Sequence, residues 1–190
     1  MRSSLAKVGR VLNRIMASVL ILQLLAMATM TLVESLRRKK RKLRKFPVTR
    51  NDAVPVQRDE VTVYTYGEYL YEAMLEAIEG AQHHVYFESY IWKSDEMGQK
   101  FVDALNRAAD RGLDVYAVWD GFGNLVVSPK FYRGISKKVH TLSYPVFPVP
   151  WRPKTWGRNH RKLLCVDGKI GFIGGYNIGD LYATGWRDTH

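Results

Sequence analysis

One uncharged apolar run constrains the fold of this chain more than any other feature. Residues 15–33 read IMASVLILQLLAMATMTLV, nineteen residues without a charge. As a helix this run is roughly 28 Å long, which is enough to cross the hydrocarbon core of a bilayer. Four cations precede it and eight follow within residues 37–45. Because the more basic flank stays in the cytoplasm, the pattern predicts a single-pass protein of the cell membrane whose C-terminal part is cytoplasmic.

Two other interpretations of this region stay open. Residues 26–28 (AMA) resemble a cleavage site, so the run is also compatible with a signal peptide. The basic cluster is also compatible with a nucleic-acid-binding or nuclear-targeting patch. An anchor is favoured because the apolar run continues past the cleavage site and cations at a membrane exit suit anionic headgroups. The predicted divisions are a basic tail (1–14), a transmembrane helix (15–36), a basic juxtamembrane linker (37–57) and a globular domain (58–190).

The net charge of +11 belongs to the N-terminal region. Residues 1–50 carry 13 Lys and Arg against one acid, whereas residues 51–190 carry 16 against 17. This near-neutral globular part argues against a nucleic-acid partner. The lone cysteine, Cys165, cannot form an intramolecular disulfide and is predicted to be a small core residue. Zinc-ligand spacing and a glycine-rich nucleotide loop are both missing from the sequence, so we expect no metal and no cofactor.

Beyond the linker, β-rich segments alternate with amphipathic helical segments. This alternation predicts an α/β fold with a mixed, largely parallel sheet flanked by helices on both faces. The predicted strands are residues 61–66, 83–92, 113–120 and 137–144, and the predicted helices are residues 67–80 and 95–111. A loop with four prolines and two tryptophans follows at residues 145–158. Its length and composition favour a functional role, although packing against its own domain stays open.

The next segment, NHRKLLCVDGKIGFIGGYNIG, contains the residue types that phosphate chemistry needs. A strand period of two puts His160 and Lys162 on one face. Asp167 has the opposite parity and precedes a Gly-Lys turn signal, so we expect it at the end of the strand. Gly175 lets backbone approach a ligand closely, and Asn177 has an amide that can donate to a phosphoryl oxygen.

These residues predict a metal-free transfer of a phosphoryl group. The imidazole of His160 is a competent nucleophile near neutral pH. The ammonium of Lys162 and the amide of Asn177 can stabilise charge that develops on phosphodiester oxygens. A carboxylate cluster for Mg²⁺ does not accompany them in the sequence. The transfer also needs an acid for the leaving alkoxide, and the motif supplies one histidine only.

The segment resembles the phospholipase D superfamily through its H-x-K-x-x-x-x-D pattern at His160, Lys162 and Asp167. Gly175 and Asn177 fall where that superfamily has a Gly-Ser-x-Asn segment, with Gly175 in place of the serine. The longer stretch through GWRDTH, with VYFESYIW and VWDGFG upstream, is similar to the first half of bacterial cardiolipin synthases and related phosphatidyltransferases.

This resemblance implies an enzyme of two lobes with one motif each, in which one histidine forms a phosphohistidine and its counterpart protonates the leaving group. His160 would be the nucleophile, Lys162 and Asn177 would bind phosphoryl oxygens, and Asp167 would hold the motif's geometry. Asp188 is a candidate for orienting an imidazole. The implied substrate is an anionic phospholipid at the membrane, and the implied reaction joins phosphatidylglycerol molecules.

The chain departs from that pattern because it contains one motif. Two explanations are open: a fragment that lacks the second motif-bearing lobe, which the synthase-like ending favours, or a homodimer in which two copies of His160 face each other. Two other functions also stay open. The same residues would serve a phospholipase D-type hydrolase acting on lipid or nucleic acid, and a non-catalytic membrane protein is the alternative from another class.

Overall fold

A computed structural model describes residues 2–40, 48 and 52–190, with side chains described from residue 12 to 36, at 48, and from 52 onward except at 154. The chain divides into two compact units, Met1–Lys45 and Phe46–His190. The first unit contains helix α1, Arg2–Lys40. Within it, Leu12–Leu36 is apolar and long enough to cross a membrane, with a mean hydropathy of 2.1. The predicted span 15–36 lies inside this segment, whereas residues 41–47 and 49–51 of the predicted linker 37–57 lie outside the described residues.

The second unit begins with an antiparallel hairpin of β1 (Val54–Val56) and β2 (Asp59–Val61). The predicted strand at 61–66 is therefore wrong beyond its first residue. Residues 62–66 have no strand assignment. Tyr64 instead exchanges two backbone hydrogen bonds with His190, at N–O distances of 2.9 and 3.0 Å. The β-rich composition predicted a strand with a full ladder of backbone hydrogen bonds, whereas the pairing found here is limited to Tyr64 and His190.

The main sheet has five strands in the order β5-β4-β3-β6-β7. β3 pairs in parallel with β4, and β4 with β5, whereas the β3–β6 and β6–β7 pairs are antiparallel. The predicted mixed α/β class is thus confirmed, with parallel pairing confined to three strands. The strands are β3 (His84–Ser89), β4 (Asp114–Asp120), β5 (His140–Tyr144), β6 (Leu163–Val166) and β7 (Ile170–Ile173).

Two amphipathic helices cover one face of this sheet. They are α2 (Gly67–Gly80) and α3 (Glu96–Asp110). Leu70 and Ile78 of α2 and Phe101 of α3 are fully buried in the same core as the inward side chains of β3 and β4. Asp95 caps α3 by accepting from the backbone N–H of Gly98 at 3.0 Å. A short helix α4 (Pro129–Tyr132) precedes β5.

The other face of the sheet differs from the prediction. Tyr86 and Tyr116 are 43% and 37% exposed, and their rings stack at 5.0 Å between centroids. His140 extends the row, with its ring stacked on Tyr116 at 4.8 Å. Within the described residues, helices therefore cover one face of the sheet, and the expectation of helices on both faces is not met there. Aromatic side chains stacked on one another occupy the uncovered face.

Candidate active site

The motif lies where three strands of the sheet converge. Glu88 near the end of β3 pairs with Leu163 at the start of β6, and Ser89 pairs with Trp119 of β4. The carboxyl ends of the two parallel strands therefore meet the amino end of β6. The strand itself begins at Leu163, so His160 and Lys162 precede it rather than lie within it. In open sheets, ligands bind at this kind of strand end.

His160 and Lys162 are brought together, as predicted. The Lys162 Nζ lies 3.5 and 3.4 Å from Nδ1 and Nε2 of the His160 ring and donates to the His160 carbonyl oxygen at 2.9 Å. Lys162 is 6% exposed, whereas the His160 ring is on the surface. Tyr90 packs against both, with its ring centroid 4.5 Å from the imidazole and 5.1 Å from Nζ. An accessible imidazole thus lies directly beside a buried ammonium.

Burial lowers the pKa of Lys162, and the nearby carboxylate of Asp188 acts in the opposite direction. Among the described residues, Nζ contacts the His160 ring, the His160 carbonyl oxygen and the face of the Tyr90 ring. These contacts do not neutralise the buried ammonium. An anionic phosphoryl oxygen could therefore bind it and replace the hydrogen bonds to water that it lost on burial. The pair is suited to bind the oxygens of a phosphodiester while the imidazole attacks phosphorus.

A buried carboxylate fixes the approach of the chain to His160. Asp120, the last residue of β4, is fully buried. Its oxygens accept from the backbone N–H of Asn159 at 2.9 Å, from Nη1 of Arg158 at 3.2 Å and from the N–H of Phe122 at 2.8 Å. Arg158 also donates to the carbonyl oxygens of Pro145 and Val146, both at 2.9 Å. Asp120 therefore determines where the residue before His160 lies.

A second carboxylate holds the same segment from β3. Glu88 Oε2 accepts from Nδ2 of Asn159 at 3.0 Å and pairs with Nε of Arg161 at 2.9 Å. These two residues flank His160 on either side. Their contacts with one carboxylate restrict the backbone on which the imidazole stands, which is how a nucleophile is preorganised.

The predicted phosphate donor Asn177 is almost buried, at 9% exposure. Its Oδ1 accepts from the backbone N–H of Ile91 at 3.0 Å, and its backbone oxygen accepts from the Tyr71 hydroxyl. Asn177 therefore ties the segment after β7 to the segment after β3. Oδ1 is engaged, and the Asn177 side chain is also hydrogen-bonded to Tyr182, so the contact of its amide NH₂ with a ligand stays a prediction.

The glycine pair allows a close approach, but the segment that approaches is part of the chain itself. A Cβ on Gly174 would lie 2.3 Å from the Thr189 oxygen, and one on Gly175 would lie 2.2 Å from the Asp188 carboxylate. Gly175 also donates its backbone N–H to Thr189 at 2.9 Å. Asp188 thus occupies the space over Gly175, where we expected the ligand, and the substrate contact of Gly175 stays a prediction.

Asp167 does not join His160. It follows β6, whereas His160 precedes it, so the two are separated by roughly 20 Å of extended chain. Its carboxylate accepts from the backbone N–H groups of residues 82, 83 and 84, at 2.8, 2.8 and 2.9 Å. Asp167 and Gly168 both have positive φ, 54° and 65°, as a tight hairpin turn requires. Its position supports the geometric role implied by the resemblance rather than a catalytic contact.

Asp167 is expected to make the fold sensitive to acid. Hydrogen bonds from the backbone N–H groups of His84 and Gln82 lower its pKa from 3.8 to about 2. The stabilisation is complete above 3.8 and is lost as the pH falls through about 2, because protonation removes an acceptor. Asp167→Asn should therefore be less stable than wild type at pH 7, because its NH₂ group would face a backbone N–H donor. The difference should disappear in strong acid, where the wild-type carboxyl group is protonated. Urea midpoints across this pH range measure the effect.

The matched control for this change is Asp114→Asn, at an exposed position on β4. It should follow the wild-type pH dependence. An Asp167→Asn variant whose midpoint coincides with wild type at every pH would show that these hydrogen bonds contribute nothing to stability.

A cavity of about 390 Å³ lies elsewhere, between residues 62–66 and helix α2. Its lining includes Glu72 and Glu76. Carboxylates repel an anionic phosphodiester, so this cavity does not compete with the His160 site for such a substrate.

Comparison with known proteins agrees with this geometry. A family profile described as "Cardiolipin synthase, PLD-like domain" matches residues 74–185, which include His160, Lys162 and Asn177. The cardiolipin synthase of Listeria monocytogenes serotype 4a is 36% identical over 149 residues, 73% of this chain and 30% of that protein. The major cardiolipin synthase of Bacillus subtilis is 34% identical over 152 residues, 75% of this chain and 31% of that protein.

The chain belongs to the cardiolipin synthase family of phospholipase D-like proteins. It spans about 30% of the length of these curated cardiolipin synthases. Solved structures support the fold of this cardiolipin synthase domain. The phosphatidylserine synthase of Haemophilus influenzae matches with a TM-score of 0.55 and 17% identity, over 73% of this chain and 34% of that one. Nuc of Salmonella typhimurium, a phospholipase D family member, matches with a TM-score of 0.50 and 20% identity, over 67% of this chain and 79% of that one.

Reasoning from the sequence missed the carboxylates that position the motif of this cardiolipin synthase domain. Asp120 and Glu88 each lie at or near the end of a strand, within the segments VWDGFG and VYFESYIW. A charged residue in an otherwise apolar strand is the signal that could have identified them, because burial requires a partner. Their partners, Arg158 and Asn159, lie some 40 and 70 residues away, so only the fold reveals the pairs.

Proposed function

We propose that the protein is a membrane-anchored phosphatidyltransferase of the cardiolipin synthase type, which joins phosphatidylglycerol molecules through a phosphohistidine at His160. The observation that carries this proposal is the contact of the exposed imidazole with the buried Lys162 ammonium, 3.4 Å away. The identity to cardiolipin synthases supports the choice of substrate class. Lys162 and the Asn177 amide are the proposed donors to the phosphoryl oxygens.

The reaction has two balanced steps. First, a ring nitrogen of His160 bonds to phosphorus while the bond from phosphorus to the headgroup oxygen breaks, and glycerol leaves with an added proton. Then a hydroxyl oxygen of a second phosphatidylglycerol bonds to phosphorus, loses its proton, and releases the imidazole. Two phosphatidylglycerol molecules become one cardiolipin and one glycerol. Splitting one difficult displacement into two easier ones is the advantage of a covalent intermediate.

The proton for the leaving glycerol must come from a further group. His190 lies close to Lys162 and Asp188, but burial lowers its pKa to about 4, so it is neutral at pH 7 and a poor proton donor. We therefore propose that a second histidine, from a second motif-bearing lobe or from a second copy of the chain, provides the acid. The sequence of the gene beyond codon 190 distinguishes the two sources: an in-frame second motif supports the lobe.

Membrane placement is part of the proposal. The segment Leu12–Leu36 is the proposed anchor, and the eight cations at 37–45 favour a cytoplasmic catalytic part. This arrangement brings the site to a substrate that does not leave the bilayer. Reporter fusions placed after residue 45 and assayed for cytoplasmic or external activity test the orientation.

The decisive test uses the protein expressed from its own gene in vesicles that contain phosphatidylglycerol labelled at phosphorus. We expect an acid-labile, base-stable label on the protein, and glycerol released in equal amount to cardiolipin formed. Phosphatidic acid as the product would instead assign a hydrolase, with water as the acceptor. A folded, full-length protein that neither traps label nor turns over lipid would overturn the proposal in favour of a non-catalytic role.

Lys162→Met tests the anion-binding role of the ammonium. Methionine keeps most of the side-chain length but removes the charge, so we expect turnover to fall by about 10²–10³-fold, as for the loss of one transition-state donor. Stability should be unchanged or higher, because a buried ammonium no longer has to be desolvated. Lipid turnover and urea unfolding measure the two effects. Lys169→Met, at an exposed turn position, is the matched control, and equal activity of the two variants would refute the assignment.

A further inference from the structure

Six large apolar side chains project from two loops beside His160. They belong to the loop after β4, residues 121–128, and the loop after β5, residues 145–158. We call them the apolar rim: Phe122, Leu125, Val126, Phe147, Trp151 and Trp156, with exposed fractions of 51, 59, 84, 80, 79 and 61%. Large apolar side chains that cluster in this way mark an interaction site, whereas scattered ones do not.

Both loops are fixed to each other and to the motif. Gly121 donates its backbone N–H to the Tyr144 carbonyl at 2.8 Å, where β4 and β5 end. The Arg158 guanidinium holds residues 145 and 146 by their carbonyl oxygens, pairs with Asp120, and lies 5.4 Å from the Phe122 ring centroid. His160 follows two residues later. The two loops that carry the apolar rim therefore leave the same sheet edge that presents the nucleophile.

The longer loop is ordered by its own hydrogen bonds rather than by burial of its apolar side chains. Thr155 Oγ1 accepts from the Val149 N–H and donates to the Arg152 carbonyl, both at 2.8 Å. The Trp156 indole donates to the Val149 carbonyl at 3.2 Å. A loop that is internally satisfied can present Phe147 and Trp151 outward without losing its shape. This argues against the alternative in which the loop packs on its own domain.

The segment that carries the rim is basic. Residues 121–158 contain seven Lys and Arg and no Asp or Glu, and two of these cations are paired with carboxylates outside the segment, Lys138 with Asp110 and Arg158 with Asp120. Aromatic side chains flanked by cations are the composition that lies in the headgroup region of a bilayer, with rings at the acyl boundary and cations at anionic headgroups.

We infer that the apolar rim inserts into the interface of an anionic phospholipid bilayer, so that the acyl chains of the substrate stay in the membrane while its headgroup reaches His160. The inference rests on the proposed function for the choice of lipid as the partner. It assigns a second membrane contact to this chain, independent of the helix Leu12–Leu36.

The experiment measures immersion depth in the full chain. Cys165→Ser removes the only cysteine, and spin labels are then attached at Trp151→Cys, at Phe147→Cys or, as reference, at Ile170→Cys. Ile170 is 48% exposed and lies beside the Asp167 turn, at the end of β6 opposite to His160. Collision rates with oxygen, which concentrates in lipid, and with a water-soluble nickel chelate are compared. The vesicles contain phosphatidylcholine with or without phosphatidylglycerol.

We expect the two rim labels to collide several-fold more with oxygen than with nickel in vesicles that contain phosphatidylglycerol, and the reference label to show the reverse. The preference should weaken in phosphatidylcholine alone, since headgroup charge is then missing. Rim labels as exposed to nickel as the reference would overturn the inference. Labels shielded from both reagents even in detergent would overturn it too, because they would indicate a protein partner.

The same measurement in a His160→Ala background separates this inference from the proposed function. Rim labels that stay immersed in this variant, which is expected not to transfer phosphorus, would show that the membrane contact does not depend on catalysis. Immersion without phosphorus transfer in wild type would support the rim and leave the catalytic proposal to fail by itself. Phosphorus transfer in wild type together with rim labels exposed to water would support the catalytic proposal and overturn the membrane contact of the rim.

Discussion

Replacing His160 by alanine is expected to reduce the phosphorus label on the protein to the level of a protein-free blank and turnover by roughly 10⁴-fold or more. Alanine cannot form the bond to phosphorus, and the remaining donors can bind the diester but cannot open a path for transfer. The fold should be unaffected, because the imidazole is exposed and its ring contacts are those with Tyr90 and Lys162. Label trapping, cardiolipin yield and urea unfolding are measured on the same preparation.

His83→Ala is the matched control for this change. His83 is also an exposed histidine, but it lies before β3, at the opposite end of the sheet, where its backbone N–H binds Asp167. Its replacement should leave trapping and turnover at the wild-type level. If the His160 variant still accumulates acid-labile label, the nucleophile is a different residue and the assignment of the motif is wrong.

Replacing Asp120 by alanine is expected to lower the free energy of unfolding by about 1–3 kcal/mol, as for a buried hydrogen-bond donor that loses its acceptor. The change leaves the buried N–H of Asn159 without its acceptor and Arg158 with only its two carbonyl partners. Activity should fall as well, because the chain just before His160 loses its position. Urea denaturation at neutral pH measures the stability, and trapping at a temperature where the variant is folded measures the second effect.

Asp114→Ala, on the same strand, is the matched control. It shows whether the loss of stability comes from the burial of Asp120 or from the removal of any aspartate on β4. Its carboxylate is exposed, so a change within about 0.5 kcal/mol is expected. Equal losses for the two variants would mean that the Asp120 network adds nothing beyond what any β4 carboxylate contributes.

Much of the local structure could be predicted because it depends on nearest neighbours in the chain. The apolar stripe and flanking glycines of residues 67–80 agree with helix α2 to the residue. The Asp95 cap of α3 and the Asp167-Gly168 turn also follow from local chemistry, since each needs a particular side chain or backbone angle at one place. The proximity of His160 and Lys162 is equally local, because a single residue, Arg161, lies between them.

The remaining features depend on contacts between segments that are distant in the sequence. The β-rich residues 62–66 form no strand because their partner is one residue of the terminal segment, Tyr64 with His190. The alternation of strands and helices suggested a sheet covered on both faces, yet Tyr86 and Tyr116 stack on each other in an exposed row. The identity of a residue shows that its side chain is apolar, but it does not show which side chains will pack against it.

The sequence by itself determined the membrane-length helix, the α/β class and the chemical identity of the motif, since these depend on residue type and spacing. The tertiary structure alone decided that Asp120 and Glu88 fix the motif, that Asp188 lies on Gly175, and that Asp167 sits apart from His160. The physical reason is that a carboxylate finds its donors through the fold. Strand order and register place those donors, and they are properties of the assembled sheet rather than of any segment.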